Sequence, residues 1–141
     1  MKNSNKIIVI EDDADINALI SYNLRKEGFS VEQVFDGFSA LQKLKNGYFD
    51  IVILDIMLPG IDGFDICKEI KGSDGLSNTF VIVLSAKCNP QDKLYAHILG
   101  ADCYLTKPFK VTTLVGIVKE IPAMQNKKFE VISKHRTYER G

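Results

Sequence analysis

Short, nearly unbroken apolar runs alternate with longer segments of helical periodicity, and this alternation restricts the possible folds more than any other feature. Residues 6–10, 51–54 and 80–84 are rich in β-branched side chains, as strands are when both faces of a parallel sheet are covered. Residues 30–35 and 103–105 are weaker strand candidates, suited to edge or short positions. The pattern therefore predicts five β-strands.

A helical segment follows each predicted strand. The first segment carries apolar residues at helical spacing, namely Ile16, Leu19, Ile20 and Leu24. Gly28 is placed to end this helix, Asn89 to cap the fourth, and Pro122 to stop the fifth. Repeated strand–helix units with right-handed crossovers form a doubly wound parallel sheet with helices on both faces. We expect an α/β fold of five βα units, (βα)5.

The length and charge of the chain indicate one domain followed by a basic C-terminal segment. The chain of 141 residues is one domain by length, predicted at residues 1–121. Residues 122–141 read as a basic C-terminal tail or linker with a net charge of +3, from five basic and two acidic residues. The whole chain is neutral, with 18 basic and 18 acidic residues, so we expect no direct binding to nucleic acid or membrane.

Cysteine usage and hydropathy indicate the compartment. Cys67, Cys88 and Cys103 show no metal-binding spacing and are odd in number, which is typical of thiols in a reducing cytoplasm. No apolar run approaches the length of a membrane span, and the start MKNSNK is not followed by the apolar stretch of a signal peptide. We expect a cytoplasmic protein.

Polar side chains follow four of the predicted strands where the strands end. Glu11 and Asp12 follow the first strand, Asp55 the third and Ser85 the fourth. Lys107 lies two residues beyond the fifth. Ligands of open α/β sheets bind outside the carboxyl ends of the strands, near the point where the winding reverses. We therefore expect three carboxylates, a hydroxyl and an ammonium in one crevice.

This set of groups indicates phosphoryl transfer. Three neighbouring carboxylates repel one another, so at least one has a raised pKa unless a cation neutralises them. Magnesium suits the site because it accepts carboxylates, waters and phosphate oxygens together. Lys107 adds positive charge, and Asp55 is the candidate nucleophile. Each residue alone has an ordinary interpretation as a capping, turn or surface residue, and Asp13 is assigned to helix capping. Their coincidence at four strand ends favours a phosphoryl-transfer site instead.

Four stretches resemble the receiver domains of two-component response regulators: VIEDDADI, DIVILDIMLPGIDGFDICKEIK, VIVLSAK and GADCYLTKPF. The resemblance covers residues 5–121 and implies a flavodoxin-like sheet of strand order 2-1-3-4-5. It implies a signalling switch, not an enzyme, with Mg²⁺ or Mn²⁺ as cofactor. Asp55 would receive a phosphoryl group from a sensor histidine kinase or a histidine phosphotransfer protein.

The resemblance also implies a role for each matched residue. Glu11 and Asp12 would form the acidic pair, with Asp12 preferred as the direct metal ligand. The backbone carbonyl of Met57 would complete the protein's share of the metal shell. Ser85 would hold a phosphoryl oxygen, and Lys107 would pair first with the acceptor aspartate and then with its phosphoryl group.

A second part of the resemblance concerns how the signal leaves the site. Tyr104 matches the aromatic residue whose rotamer follows the hydroxyl of Ser85, and the Lys107–Pro108 bond matches the cis peptide of the family. The change would reach the surface of the fourth helix, fifth strand and fifth helix. A downstream output protein, or an effector domain missing from this chain, would bind there.

Other functions remain as alternatives. Phosphatases of the haloacid dehalogenase type also use a strand-end aspartate, magnesium and a lysine. Their pattern at the nucleophile is DxD, in which the second aspartate acts as general acid. Here Ile56 and Met57 follow Asp55, so that acid is missing. A degenerate receiver would act only as a binding module, against which the presence of every site residue argues. A flavin-binding protein of similar topology would need a phosphate loop where this chain has EDDAD.

Overall fold

Five parallel strands form one sheet in the order β2-β1-β3-β4-β5, which confirms the predicted fold. The structure, a computed structural model, describes residues 5–127 of the chain and the side chains of residues 5–121. The strands are β1 (Lys6–Ile10), β2 (Ser30–Val34), β3 (Ile51–Asp55), β4 (Phe80–Ser85) and β5 (Cys103–Thr106). The winding reverses between β1 and β3, so a ligand crevice is expected at their carboxyl ends.

Five α-helices cover the two faces of the sheet. They are α1 (Ala14–Lys26), α2 (Gly37–Asn46), α3 (Gly63–Gly72), α4 (Pro90–Ile98) and α5 (Val111–Lys127). Helices α1 and α5 enclose one apolar core, and α2, α3 and α4 enclose the other, with successive strand residues entering opposite cores. A short 3-10 turn, Asp74–Leu76, follows α3 and was not predicted. No helix within residues 5–127 is long and apolar enough to cross a lipid bilayer.

Several predicted helix ends are confirmed. The Asp13 carboxylate accepts hydrogen bonds from the backbone N–H groups of Asp15 and Ile16, at 3.0 and 3.1 Å, and so caps α1. Gly28, which follows α1, has a φ of 97°, in the left-handed region that favours glycine. Asn89 caps α4 by accepting from the N–H of Asp92 at 2.8 Å.

The buried stripe of α1 differs from the predicted one. Leu19 is 52% exposed, although its spacing placed it among the apolar residues of the helix. The residues of α1 that are buried are Asn17, Ile20, Ser21 and Leu24. Two polar side chains therefore occupy core positions at helical spacing, where an apolar pattern does not reveal them.

Helix α5 continues through Pro122 to Lys127, so the prediction that Pro122 stops this helix is wrong. A proline inside a helix removes one N–H donor, here the one that would pair with the carbonyl of Val118, and this loss does not end α5. The turns before Pro122 are held in the core by buried side chains such as Leu114 and Ile121. That packing stabilises α5 independently of the lost hydrogen bond.

The predicted C-terminal tail is described only in part. The predicted boundary after residue 121 falls inside α5. Residues 128–141 lie outside the described residues. The assignment of 122–141 as a basic tail or linker stays a prediction.

The cysteines agree with the expectation of thiols. Cys67 and Cys103 are buried, Cys88 is exposed, and none of the three forms a disulfide in the described part of the chain. Burial raises the pKa of the Cys67 thiol to about 12. Cys67 is therefore a neutral core side chain at physiological pH, and its thiol is unreactive.

Gly63 begins α3 where the chain passes directly over Ile56. A Cβ atom on Gly63 would lie 2.5 Å from the Cα of Ile56 and 2.6 Å from its carbonyl oxygen. Those are backbone atoms next to Asp55, and they cannot move without displacing the end of β3. The close approach explains why a glycine stands at this position.

We expect Gly63→Ala to lower the free energy of unfolding by about 1–3 kcal/mol, the usual cost of overpacking. Gly116→Ala is the matched control, because a Cβ on this exposed α5 residue meets nothing within 4 Å. The control variant should gain about 0.5–1 kcal/mol from the higher helix propensity of alanine. Urea unfolding followed by circular dichroism measures both changes, and equal midpoints for the two variants would contradict the argument.

Candidate functional site

The carboxyl ends of three strands bring the predicted acidic and basic residues together. Glu11 and Asp12 directly follow β1, Asp55 is the last residue of β3, and Lys107 directly follows β5. One carboxylate oxygen from each of Glu11, Asp12 and Asp55 lies within 4.8 Å of the others. Glu11 and Asp55 are buried, whereas Asp12 is exposed. The sequence predicted this meeting of three carboxylates.

Lys107 bridges the two buried acids. Its Nζ lies 2.8 Å from Glu11 Oε1 and 3.2 Å from Asp55 Oδ2. Backbone N–H groups hold the other oxygens: Asp13 donates to Glu11 Oε2 at 3.1 Å, and Met57 donates to Asp55 Oδ1 at 2.9 Å. Both carboxylates are thus fixed at both oxygens. The resemblance implied the contact between Lys107 and Asp55, but not the shorter one to Glu11.

Two groups of the site have raised pKa values, Glu11 mainly through burial and Lys107 through its acidic neighbours. Burial raises the pKa of the Glu11 carboxyl, and the nearby charge of Asp55 adds to this, while the hydrogen bonds from Lys107 and Asp13 oppose it. Burial alone would lower the pKa of Lys107, but its hydrogen bond to Glu11 and the charges of Asp55 and Glu11 outweigh that effect and raise it. Lys107 therefore stays charged at physiological pH. The expectation of a raised carboxyl pKa is met at Glu11, with burial as the main cause.

The acidic cluster fits a small hard cation. Among the described residues its side-chain donors are carboxylate oxygens only, without sulfur or imidazole, which is the donor set of Mg²⁺ and Mn²⁺. Asp12 is exposed, so one side of the cluster is open to water and to phosphate oxygens. Met57 lies two residues beyond Asp55, and the metal contact implied for its carbonyl stays a prediction.

Ser85 and Tyr104 meet at the backbone of one residue. Ser85, the last residue of β4, is buried, and its Oγ accepts a hydrogen bond from the N–H of Lys87 at 3.0 Å. The hydroxyl of buried Tyr104 donates to the carbonyl oxygen of Lys87 at 2.9 Å. The sequence indicated Ser85 and Tyr104, but a side-chain pattern carries no signal for the backbone of Lys87.

The end of β4 holds the backbone of Lys107. The N–H of Lys107 donates to the carbonyl oxygen of Ser85 at 2.7 Å, which ties the end of β5 to the end of β4. The Lys107–Pro108 peptide bond is cis, as the resemblance implied. Ser85 and Lys107 are therefore brought to the same edge of the sheet as the acids.

A cleft of about 710 Å³ lies away from these residues. Its lining includes Lys6, Phe38, Lys43 and Phe49, and none of the candidate site residues. Glu32, the one acid among the described residues that line it, is paired with Lys43 at 2.9 Å. The candidate site is therefore identified by its chemistry and its place in the sheet, not by its volume.

Comparisons with known proteins agree with this geometry. The family model for the response regulator receiver domain matches residues 7–119. The response regulator DrrB, an OmpR/PhoB homologue from Thermotoga maritima, is 33% identical over 86% of this chain, with a TM-score of 0.78. This chain covers 54% of the length of that DrrB chain.

Two receiver structures match over their whole length or nearly so. The BeF3-activated receiver domain of DrrB is 33% identical, with a TM-score of 0.79, over 86% of this chain and 100% of its own. The chemotaxis response regulator CheY4 of Vibrio cholerae is 28% identical, with a TM-score of 0.79, over 84% of this chain and 99% of its own. With its five-stranded parallel sheet and its acidic pocket, the chain belongs to the response regulator receiver domains of two-component signalling.

Proposed function

We propose that the chain is a phosphorylation-dependent switch in which Asp55 accepts a phosphoryl group with the help of a divalent cation. The observation that supports this most directly is the bridge from Lys107 Nζ to both Glu11 and Asp55, with the carboxylate of Asp12 beside it. The bridge places a fixed positive charge at the acceptor carboxylate. It leaves an all-oxygen cluster for the cation.

The side chains of the site have separate tasks in the transfer. The Asp55 carboxylate forms a bond to phosphorus while the bond between phosphorus and the imidazole nitrogen of a phosphohistidine donor breaks. Lys107 offsets negative charge on the phosphoryl oxygens, because its ammonium stays protonated. Mg²⁺ or Mn²⁺ would be held by Glu11, Asp12, Asp55 and the Met57 carbonyl, and when bound it would supply further charge neutralisation.

The switch begins at Ser85. Its Oγ now accepts from the N–H of Lys87, so a turn of Ser85 towards a phosphoryl oxygen breaks that hydrogen bond. The carbonyl of Lys87 holds the Tyr104 hydroxyl, so the change reaches the aromatic ring. Phosphorylation thus favours one of two arrangements of the β4–α4 loop, by the difference in free energy of binding the phosphoryl group.

Helix α4 is suited to carry this change to a partner. Ala96 is its only buried residue, so α4 is held to the sheet by little apolar contact. Leu94, Tyr95 and Ile98 are each at least half exposed and offer an apolar surface. An output protein or effector domain that binds α4, β5 and α5 would respond to a small shift of this helix.

The partners follow from this role. The phosphoryl donor is a sensor histidine kinase or a histidine phosphotransfer protein, and the chain acts in the cytoplasm as a phosphoacceptor rather than as an enzyme. We propose no direct contact with nucleic acid or membrane for this chain. The solved DrrB receiver domain is described as BeF3-activated, and we propose a comparable activation here.

Incubation with acetyl phosphate and Mg²⁺, followed by intact mass measurement, tests the proposal. We expect a gain of one phosphoryl group, removed by hydroxylamine as an acyl phosphate is, and no gain when EDTA replaces Mg²⁺. A chain that stays unmodified under these conditions would contradict the proposed function. Sustained turnover of p-nitrophenyl phosphate would instead favour the phosphatase alternative.

A further inference from the structure

Asn17 lies behind the acidic cluster and is completely buried. Its amide nitrogen is within hydrogen-bond distance of three backbone carbonyl oxygens, at 3.0 Å from Glu11, 3.1 Å from Val34 and 3.4 Å from Val9. The two amide protons are therefore shared among acceptors at the ends of β1 and β2. A buried amide with this many partners holds both strand ends in one arrangement.

The amide oxygen of Asn17 is fixed as well. Oδ1 accepts from Ser21 Oγ at 3.1 Å and from Gln33 Nε2 at 3.0 Å. Gln33 Oε1 in turn accepts from the guanidinium of Arg25 at 3.2 Å, which also donates to the carbonyl of Val31 at 2.8 Å. A flipped amide would set its oxygen against three carbonyl oxygens and its nitrogen against the Gln33 amide donor, so only one orientation fits.

This network fixes the backbone of Glu11 from two sides. The N–H of Glu11 donates to the carbonyl of Val34 at 3.0 Å, and the carbonyl of Glu11 accepts from Asn17. The peptide that joins Glu11 to Asp12 therefore has one fixed orientation, and both carboxylates extend from it. Magnesium demands nearly ideal octahedral geometry, so a small change in this peptide would misplace its ligands.

We propose that Asn17 is a positioning residue for the cation site: its buried amide fixes the Glu11 backbone and thereby the carboxylates of Glu11 and Asp12. The inference rests on the proposed function, because that function requires the cation. Asn17 itself contacts neither the carboxylates nor any group that would coordinate the ion. Groups that orient metal ligands without touching the metal typically change its affinity about 10–100-fold when they are removed.

A purely structural role for Asn17 makes a different prediction, and Ser21 separates the two. Ser21 is also buried and touches the same amide, but only through Asn17 Oδ1, on the side away from Glu11. Loss of the Ser21 hydroxyl should therefore weaken the core without freeing the Glu11 peptide. The stability of the fold and the affinity for the cation should respond differently to the two substitutions.

The experiment compares Asn17→Leu and Ser21→Ala in the full chain. Leucine keeps the branched shape of asparagine and favours a helix, but it donates no hydrogen bond. Isothermal titration calorimetry with Mg²⁺ gives the affinity, and circular dichroism gives the thermal midpoint. We expect both variants to melt at a lower temperature than the wild type. Only Asn17→Leu should bind Mg²⁺ more weakly, by about 10-fold or more.

The possible outcomes are distinct. Wild-type Mg²⁺ affinity in Asn17→Leu would overturn the inference and leave Asn17 as a residue that only stabilises the core. An equal loss of affinity in Ser21→Ala would also overturn it, because general loosening would then explain both. A wild-type chain that binds no Mg²⁺ would overturn the proposed function itself. If Asn17→Leu fails to fold, Asn17→Ala, which also lacks the amide, is measured against the same expectation.

Discussion

Asp55→Asn is expected to abolish the mass gain from acetyl phosphate and Mg²⁺ while the protein remains folded. The asparagine has the shape of aspartate and can still accept the Met57 N–H through its oxygen. Its neutral amide, however, is a poor nucleophile, so no bond to phosphorus forms. The substitution also removes one of the three negative charges that attract the cation. Intact mass measures the loss of phosphorylation, and circular dichroism shows whether the variant remains folded.

Asp62→Asn is the matched control for this prediction. Asp62 lies in the same β3–α3 loop and caps α3 by accepting from the N–H of Phe64 at 2.9 Å. Asparagine is an equally good N-cap, so this variant should be phosphorylated as the wild type is. Persistent modification of Asp55→Asn would show that the phosphoryl group is carried elsewhere. Loss of modification in Asp62→Asn would point to a general effect on the loop.

The sheet and the meeting of site residues were predictable because parallel strands place their carboxyl ends at one edge. Every residue of β3 and β4 is buried, as the apolar runs 51–54 and 80–84 indicated for all but the last residue of each strand. Once the strand order was expected, Glu11, Asp55 and Lys107 had to be near one another. The strand order came from the resemblance to receiver domains; given that order, the fold converts the position of a strand end into a position in space.

The role of Asn17 could not be predicted in this way. The apolar spacing of α1 favoured Leu19 as a core residue, whereas the structure exposes it and buries Asn17 and Ser21. Burying an amide is favourable only when its hydrogen-bonding partners are present. Those partners are carbonyls at the ends of two strands, and they come together only in the folded chain. A pattern of apolar residues contains no record of them.

The end of α5 is a second case in which a local sequence signal did not predict the structure. Proline is a reliable local signal against a helix interior, and it predicted an end at Pro122. Tertiary packing prevailed, because Leu114 and Ile121 anchor the preceding turns in the core. The link from Ser85 to Tyr104 through Lys87 was hidden for a related reason, since it uses backbone atoms that every residue has.

Lys107→Met is expected to lower the free energy of unfolding of the metal-free protein by about 3 kcal/mol near neutral pH, at the low end for removing one partner of a buried ion pair. Methionine preserves the length and apolar stem of the side chain, so packing changes little. Glu11 is 1% exposed and Asp55 is 4% exposed, and both lose their shared counter-charge. Urea unfolding in the presence of a chelator measures the loss.

The free energy of unfolding that Lys107→Met loses relative to the wild type should depend on pH. Burial already raises the pKa of Glu11, and loss of the opposing hydrogen bond from Lys107 raises it further. A carboxyl whose pKa is higher in the folded state binds a proton that the unfolded state releases, so stability falls as pH rises above about 4.3. The pKa of Lys107 is raised in the folded wild type, so its stabilising effect is complete below about 10.4 and is lost above that value. The difference between wild type and variant should therefore be largest near neutral pH and shrink towards both extremes.

Lys43→Met provides the control, because Lys43 forms an exposed ion pair with Glu32 at 2.9 Å. Surface pairs contribute about 0–1 kcal/mol, so this variant should unfold almost as the wild type does at every pH. If Lys107→Met were as stable as Lys43→Met at neutral pH, the ammonium would not be what holds Glu11 and Asp55 together. A loss of stability that grows in acid would also contradict this prediction, since protonating Glu11 removes the buried negative charge that Lys107 offsets.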